Sequence, residues 1–592
     1  MARWLRGGVW VLAAAVPLVF LAIFFAWPVT TLVLRGFVPD GSWDLSGFTE
    51  VFARPRTWRI LFLTIALGVL GTVFSVVLGV PGAYVLYRRT FRGQRILRAL
   101  ITIPFVLPTV VVGVAFRALL AADGPLGFLG LDRTFTAIVL ALVFFNYAIV
   151  VRTVGGFWER LDPRTEQSAR ALGASPARAF WSVTLPALTP AITSAASVVF
   201  LFCSTAFGVV LVLGGIRFGT IETEIWIQTT QFLDLRTAAV LSVLQLSVVT
   251  AALITFSRAR ARREAALKLH GAQHQARRLR LWQPVPHRRE RGLWAKSSVR
   301  TVGLGHTARS RGRLAARWGR PGPDLPAAAV TAVVIVGLLA LPLATLVVRS
   351  LRTPSGAWGL DNYVALGSTG GPNALTVTVW DAAANSLRVA VDATVIAVVV
   401  GALVALVVSR RPRNVHVRRT VWGLDTLFML PLGVSAVTVG FGFLITLNRP
   451  PLDLRTSMIL IPIAQAVVAI PLVVRTVLPV LRAIDPRQRE SAAVLGASPG
   501  RVLAHVDGPF LVRSLGLAIG FAFAVSLGEF GATAFLARPD APTLPVVIFR
   551  LIGRPGAENY GMALAASVLL ALLTATIMGV AERLRSERTG EF

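Results

Sequence analysis

Apolar residues recur along the chain in runs too long for the core of a water-soluble domain. Twelve of them, 9–34, 60–86, 99–120, 135–151, 191–213, 238–256, 325–348, 389–409, 421–447, 458–474, 510–527 and 561–580, come close to or exceed the roughly 20 residues that carry a helix across a hydrocarbon layer. The expected architecture is an all-α membrane protein of about 12 transmembrane helices. The first run follows Arg3 and Arg6, as the apolar stretch of a signal peptide would. Its length and the lack of a small-residue cleavage pattern favour a retained span.

Composition agrees with the pattern. The 592 residues are 55% hydrophobic and only 15% charged, with a mean hydropathy of +0.69. A soluble globular domain is excluded.

The net charge of +32 would point to nucleic acid in a soluble protein, but here it is segregated into loops. Arg88, Arg89, Arg92, Arg95 and Arg98 follow the second run, and Arg410, Arg411, Arg413, Arg418 and Arg419 the eighth. The positive-inside rule places both loops, and with them both termini, in the cytoplasm. Residues 257–322 carry eighteen Arg or Lys against Glu264 and Glu290, which reads as a basic cytoplasmic linker held near anionic headgroups rather than a nucleic-acid site. Its four histidines are too irregularly spaced for a metal site, and the single cysteine, Cys203, lies in an apolar run, so no metal or disulfide chemistry is expected.

The chain repeats itself. Residues 161–178 (LDPRTEQSARALGASPAR) and 484–501 (IDPRQRESAAVLGASPGR) are identical at eleven of eighteen positions, with a constant offset of 323. The match extends from Gly79 and Arg88-Arg89 to Gly401 and Arg410-Arg411. Two six-helix modules are expected, 1–256 and 323–592, joined by the linker. Each holds an even number of spans, so they are parallel repeats about an axis along the membrane normal, with a pathway between them.

The repeated loop carries helix punctuation. Asp162-Pro163 and Asp485-Pro486 start a helix, Gly173 and Gly496 end it, and Ser175-Pro176 and Ser498-Pro499 start another. Small residues at Ser168, Ala169, Ser491 and Ala492 would let another surface come close. From the residues alone this is equally an interfacial connector or a docking device.

The loop resembles the EAA loop of ABC importer permeases. Glu490-Ser491-Ala492 and Gly496 follow that pattern, while the first copy has Gln167-Ser168-Ala169 and Gly173. Pro186 and Pro509 each stand thirteen positions after the glycine, at the family's spacing. The resemblance covers nearly the whole chain and is nearest to fused permeases of the ferric-iron and thiamine type, which Ser526–Gly531 and Thr543-Leu544-Pro545 also suggest.

It implies the type I ABC importer permease fold. Gln167, Ser168, Ala169, Gly173, Pro186, Glu490, Ser491, Ala492, Gly496 and Pro509 would couple to two ATP-binding-cassette ATPase subunits, and an extracytoplasmic solute-binding protein would deliver the solute. The setting would be the lipid of a bacterial inner membrane. The first-half contact, lacking the motif's glutamate, would be the weaker.

Neither of the two lysines, Lys268 and Lys296, stands in a phosphate-cradling loop, so the chain is expected to be no enzyme and to bind no cofactor, with ATP used by its partners. Asn146, Asp392 and Glu529 are polar groups that lipid would penalise, and are expected on the substrate path; each also has a bland reading as a helix cap or interhelical hydrogen bond. Ferric iron is the first expectation for the solute. Thiamine or another small cation or organic solute is the alternative, and an ion-coupled secondary transporter the rival mechanism.

Overall fold

The computed structural model describes residues 13–586 except 39–41, 216, 265–276, 279–281, 284–319, 323, 354–355, 373, 411–422, 425–426, 449–451 and 455–456. Most of the basic linker expected at 257–322 therefore lies outside the described residues. Among those described, ten helices are long and apolar enough to cross a membrane, and a sharply bent pair makes an eleventh.

The first half runs α1 (Ala13–Phe37), α2 (Pro55–Arg88), α3 (Gln94–Val106), α4 (Thr109–Leu120), α5 (Phe135–Arg160), α6 (Arg164–Ala171), α7 (Pro176–Ser204), α8 (Gly208–Gly214), α9 (Ile221–Thr230) and α10 (Leu235–Glu264). The second runs α11 (Leu325–Ser350), α12 (Val379–Val408), α13 (Ala436–Thr446), α14 (Leu460–Ala483), α15 (Pro486–Val494), α16 (Gly500–Gly528), α17 (Thr533–Leu536), α18 (Leu544–Gly553) and α19 (Ala557–Ser586).

The two halves repeat the same packing. Helices α2, α5 and α7 form a three-helix core in the first, and α12, α14 and α16 form its counterpart in the second. Glycine makes the closest approach possible at the same place in both. A Cβ on Gly79 would lie 2.6 Å from Val150 Cγ1, and one on Gly401 would lie 2.7 Å from Val473 Cγ1. Without a hydrophobic driving force between helices in lipid, such close backbone approach is what holds the bundle.

The third run of each half is broken rather than straight. Between α3 and α4 the chain bends by 103°. Leu107 precedes Pro108 and is pushed to an extended conformation (ψ 140°), which ends α3. The equivalent Leu430-Pro431 sits in a 3-10 turn, Leu430–Gly433, ahead of α13, whose N-terminus is capped by the Ser435 hydroxyl accepting from Thr438 N at 3.0 Å.

Helix exchange, which the sequence did not announce, ties the halves together. Helix α1 packs on α13 and on α14 of the second half: Leu21 and Phe25 join the second-half core, Phe24 meets the Phe443 ring at 6.3 Å, and Gly442 leaves room for Pro28. Helix α11 reciprocates on α2 and α4, sending Val334 and Leu339 into the first-half core.

Polar contacts pin the exchanged α11 at both ends. Near its start the buried Asp324 accepts from Tyr84 at 2.7 Å and pairs with Arg89 at 2.8 Å. Near its end the Arg349 guanidinium donates to Ala118 O at 2.9 Å and to the Asp123 carboxylate, which it holds below the usual carboxylate range. The modules are contiguous in sequence, yet in space each is completed by the first helix of the other.

Candidate functional site

Two features stand on or near the pseudo-twofold relation: a cavity between the halves, and a pair of helical hairpins on the arginine-rich face. The cavity, about 320 Å³, is bounded by α3, α5 and α7 on one side and by α13, α14 and α16 on the other. That is at the small end of the range for ligand sites. Asn146 lies 11 residues into α5, about 16 Å along the helix at 1.5 Å per residue, so the cavity sits well inside the bilayer.

Its walls are mostly apolar and aromatic, with Phe105, Phe145 and Phe202 among them, and its polar side chains are Thr109, Asn146, Thr205, Ser435 and Glu529. Among the described residues no arginine lines it. Among the described residues there is no cluster of His, Cys, Asp or Glu able to hold a metal ion.

Four aromatic rings meet at the part of the cavity wall that carries Phe207 and Phe530. Phe207 and Phe530 stack across the interface between the halves, centroids 5.4 Å apart and planes 20° from parallel. Trp226 meets Phe207 at 6.3 Å, Phe549 meets Phe530 at 5.3 Å, and Trp226 and Phe549 meet each other edge-on at 5.9 Å. The ring of contacts is complete. Phe207 and Phe530 are related by the offset of 323, and so are Trp226 and Phe549.

Glycines admit the close approach. A Cβ on Gly208 would lie 2.4 Å from Thr109 Oγ1 and 3.3 Å from the Phe530 ring, and one on Gly528 would meet Pro108 of the other half at 3.1 Å. Beside the rings, the fully buried Glu222 accepts from the Ser435 hydroxyl at 2.9 Å, a further bond between the halves.

The three polar residues expected on the path separate here. Asn146 lines the cavity, its amide donating to Leu142 O at 2.8 Å and to Cys203 Sγ at 3.3 Å, while its Oδ1 accepts from no group among the described residues. Glu529 also lines it, but as the cap of α17: its carboxylate accepts from Ala532 N (2.8 Å), Thr533 N (3.0 Å) and Thr533 Oγ1 (2.6 Å). Glu529 is thus a helix cap and a cavity-wall residue at once. Asp392 does not line the cavity. It is exposed on the outer face of α12 with Leu387, Val391, Val395 and Val399, opposite the buried Val389, Ala390, Ala393 and Ala397. Helical periodicity put it there, and hydropathy alone did not reveal which face it occupied.

The hairpins fold as their punctuation predicts. Asp162 and Asp485 carboxylates accept from the backbone N–H two residues on, at 2.9 Å each. Helices α6 and α15 end in left-handed glycines, Gly173 (φ +92°) and Gly496 (φ +83°). Ala174 N then reaches back to Ala169 O and Ala497 N to Ala492 O, both 3.0 Å, closing a Schellman turn. Gln167, Ser168, Glu490 and Ser491 are exposed, and Ala169 and Ala492 half-buried. At each turn an apolar side chain stands in the open: Leu172 is 89% exposed and Leu495 87%. Sequence reasoning did not single these out as contact residues, although the repeat aligns them.

Pro186 and Pro509 lie elsewhere. Both are inside the long helices that follow the hairpins, two residues past the end of a π-helical turn, Phe180–Thr184 and Leu503–Asp507. A proline has no N–H for the bond four residues back and its ring clashes with that carbonyl, and the wider turn relieves both.

A membrane bundle with a pathway between two repeated modules and a matched hairpin on one face of each is the architecture of a transport permease. Residues 71–263 match the family of binding-protein-dependent transport system inner membrane components, and the chain belongs to that family as an ABC importer permease with two fused modules. A putative 2-aminoethylphosphonate transport system permease of Salmonella paratyphi A is 30% identical over 45% of this chain and 96% of its own length. The thiamine transport system permease of Brucella abortus is 25% identical over 98% of this chain and 96% of its own. The sulfate transport system permease CysT of Escherichia coli is 30% identical over 34% of this chain and 74% of its own. The protein is thus a multi-pass transport subunit.

Proposed function

We propose that this chain forms the complete pathway of an ATP-driven importer in a bacterial inner membrane, with both termini and both hairpins in the cytoplasm. The observation that carries the reading is the pair of exposed leucines, Leu172 and Leu495, at equivalent hairpin turns. One exposed apolar side chain is ordinary on a surface, but the same one held out at the same turn of both copies supports a surface that a partner covers. Two such surfaces, one per module, suit two ATP-binding-cassette ATPase subunits, which bind and hydrolyse ATP while this chain binds no cofactor. Gln167, Ser168, Ala169 and Gly173 would meet one ATPase, and Glu490, Ser491, Ala492 and Gly496 the other.

In this mechanism the four rings are the outer gate and the cavity is the transit site. Closure of the ATPases moves the hairpins, the halves rotate, and the Phe207–Phe530 stack parts to admit a solute handed over by an extracytoplasmic binding protein.

For the solute we favour thiamine or a similar small organic cation. A relative that aligns along 98% of the chain is named for thiamine. Phenyl faces attract an organic cation, and the Asn146 Oδ1 offers an acceptor to an amino group. Ferric iron, the first expectation from sequence, is a hard cation that prefers oxygen ligands, and the one carboxylate on the wall is committed to a helix cap.

The test is uptake into proteoliposomes holding this chain with its cognate ATPases and binding protein, offered labelled thiamine or ferric ion. ATP-dependent thiamine uptake is the expected result. Uptake of iron instead would overturn the choice of solute, and uptake driven by an ion gradient without the ATPases would overturn the mechanism.

A further inference from the structure

The hairpins share a backbone but not an anchorage. In the second half the Asp507 carboxylate is buried at the π turn that opens α16. One oxygen accepts from Arg489 Nε of α15 at 2.7 Å, and the other from Arg410, at the end of α12, at 2.7 Å. Arg489 also donates to Leu481 O of α14 at 3.1 Å. One docking helix is thus tied to three helices of its module. At the equivalent positions of the first half stand Glu166 and Thr184, whose one hydrogen bond to each other among the described residues is a hydroxyl to carboxylate approach of 3.5 Å.

We propose that Arg489 and Asp507 form a clamp that makes the second hairpin move as one body with α12, α14 and α16, while the first hairpin is joined to its module more loosely. Arg489 and Asp507 are positioning residues: they transmit the ATPase movement and touch neither ATP nor solute. The inference rests on the importer reading above. Physically, a buried carboxylate with two guanidinium partners resists separation, since pulling Arg489 away leaves its largely buried guanidinium without a counter-charge and one carboxylate oxygen without its donor. A hydroxyl at 3.5 Å is at the limit of a hydrogen bond and yields at little cost. A movement applied to the two hairpins would enter the second half as a rigid displacement and be partly absorbed in the first.

The test uses the reconstituted complex and the ratio of thiamine transported to ATP hydrolysed. Arg489→Gln leaves Asp507 paired with Arg410, so the fold is kept while the hairpin is released. The ratio should fall about ten-fold, the scale of losing a charged hydrogen bond, and Arg489→Lys should recover part of it. Thr184→Val, which removes the first-half contact, should stay within about two-fold of the parent, since a bond that weak contributes little.

An unchanged ratio in Arg489→Gln, or an equal fall in Thr184→Val, would overturn the clamp. Spin labels at Ala493 and at its counterpart Arg170, in a Cys203→Ser background, give a readout independent of transport. The Ala493 label should be the less mobile in the parent and should loosen in Arg489→Gln; equal mobility at both sites would also overturn the clamp. If the parent shows no ATP-dependent uptake of thiamine or of ferric ion, the importer reading fails, while the labels still decide the clamp.

Discussion

Removing the stacked rings should make the closed protein leak. In the closed arrangement Phe207 touches Phe530 and Trp226, and Phe530 touches Phe207 and Phe549. Each aromatic pair is worth about 0.5–1.5 kcal/mol beyond its burial. Phe207→Ala or Phe530→Ala therefore deprives the closed state of two contacts, about 1–3 kcal/mol, which raises the open-to-closed ratio roughly 5- to 150-fold.

The double variant loses three contacts rather than four, because one is shared. Its effect should fall short of the sum of the singles by about 0.5–1.5 kcal/mol, or roughly 2- to 13-fold. The assay is efflux of labelled thiamine from loaded proteoliposomes without ATP or binding protein. Phe62→Ala, on the lipid side of α2 and 69% exposed, is the control and should stay tight. A well-folded double variant as tight as the parent would refute the gate, and strictly additive singles would refute the stack as its closing contact.

Three further outcomes are expected. Gly401→Ala sets a Cβ 2.7 Å from Val473 Cγ1, too close for a stiff β-branched neighbour to avoid, and should lower stability by about 1–3 kcal/mol in thermal unfolding; Gly79→Ala should do the same against Val150. Gly496→Pro and Glu490→Arg should each abolish co-purification with the ATPases or ATP-dependent uptake, and normal uptake in both would remove the hairpin from the mechanism. Asp123→Asn should cost no more than about 1 kcal/mol at pH 7, because the Arg349 pair is exposed to screening on the carboxylate side. Since Arg349 depresses the Asp123 carboxyl in the folded protein, that contribution is present above the ordinary value of about 3.9 and is lost as pH falls through the lower folded value. The gap between parent and variant melting temperatures should close in acid, and a gap independent of pH would refute the pairing.

Spans, repeat and hairpins were legible in the one-dimensional chain because each is a local property. Apolar length sets a span. An offset of 323 sets the repeat. Asp-Pro, Gly and Ser-Pro at fixed spacing set each hairpin, and the left-handed Gly173 and Gly496 stand where that spacing asks for them. What stayed hidden depends on which side of a helix a residue faces and which distant helix it meets. Asp392 and Asn146 are equally polar interruptions of apolar runs, yet one faces outward and the other lines the cavity.

Nothing local told α1 and α11 to exchange halves, since any apolar helix packs acceptably on several neighbours in lipid and only the shape of Gly442 against Pro28, or the buried Asp324 between Tyr84 and Arg89, selects one. The four rings illustrate both sides. The repeat already paired Phe207 with Phe530 and Trp226 with Phe549, but only the tertiary structure, by bringing the turns after α7 and α16 together between the halves, put the pairs into contact.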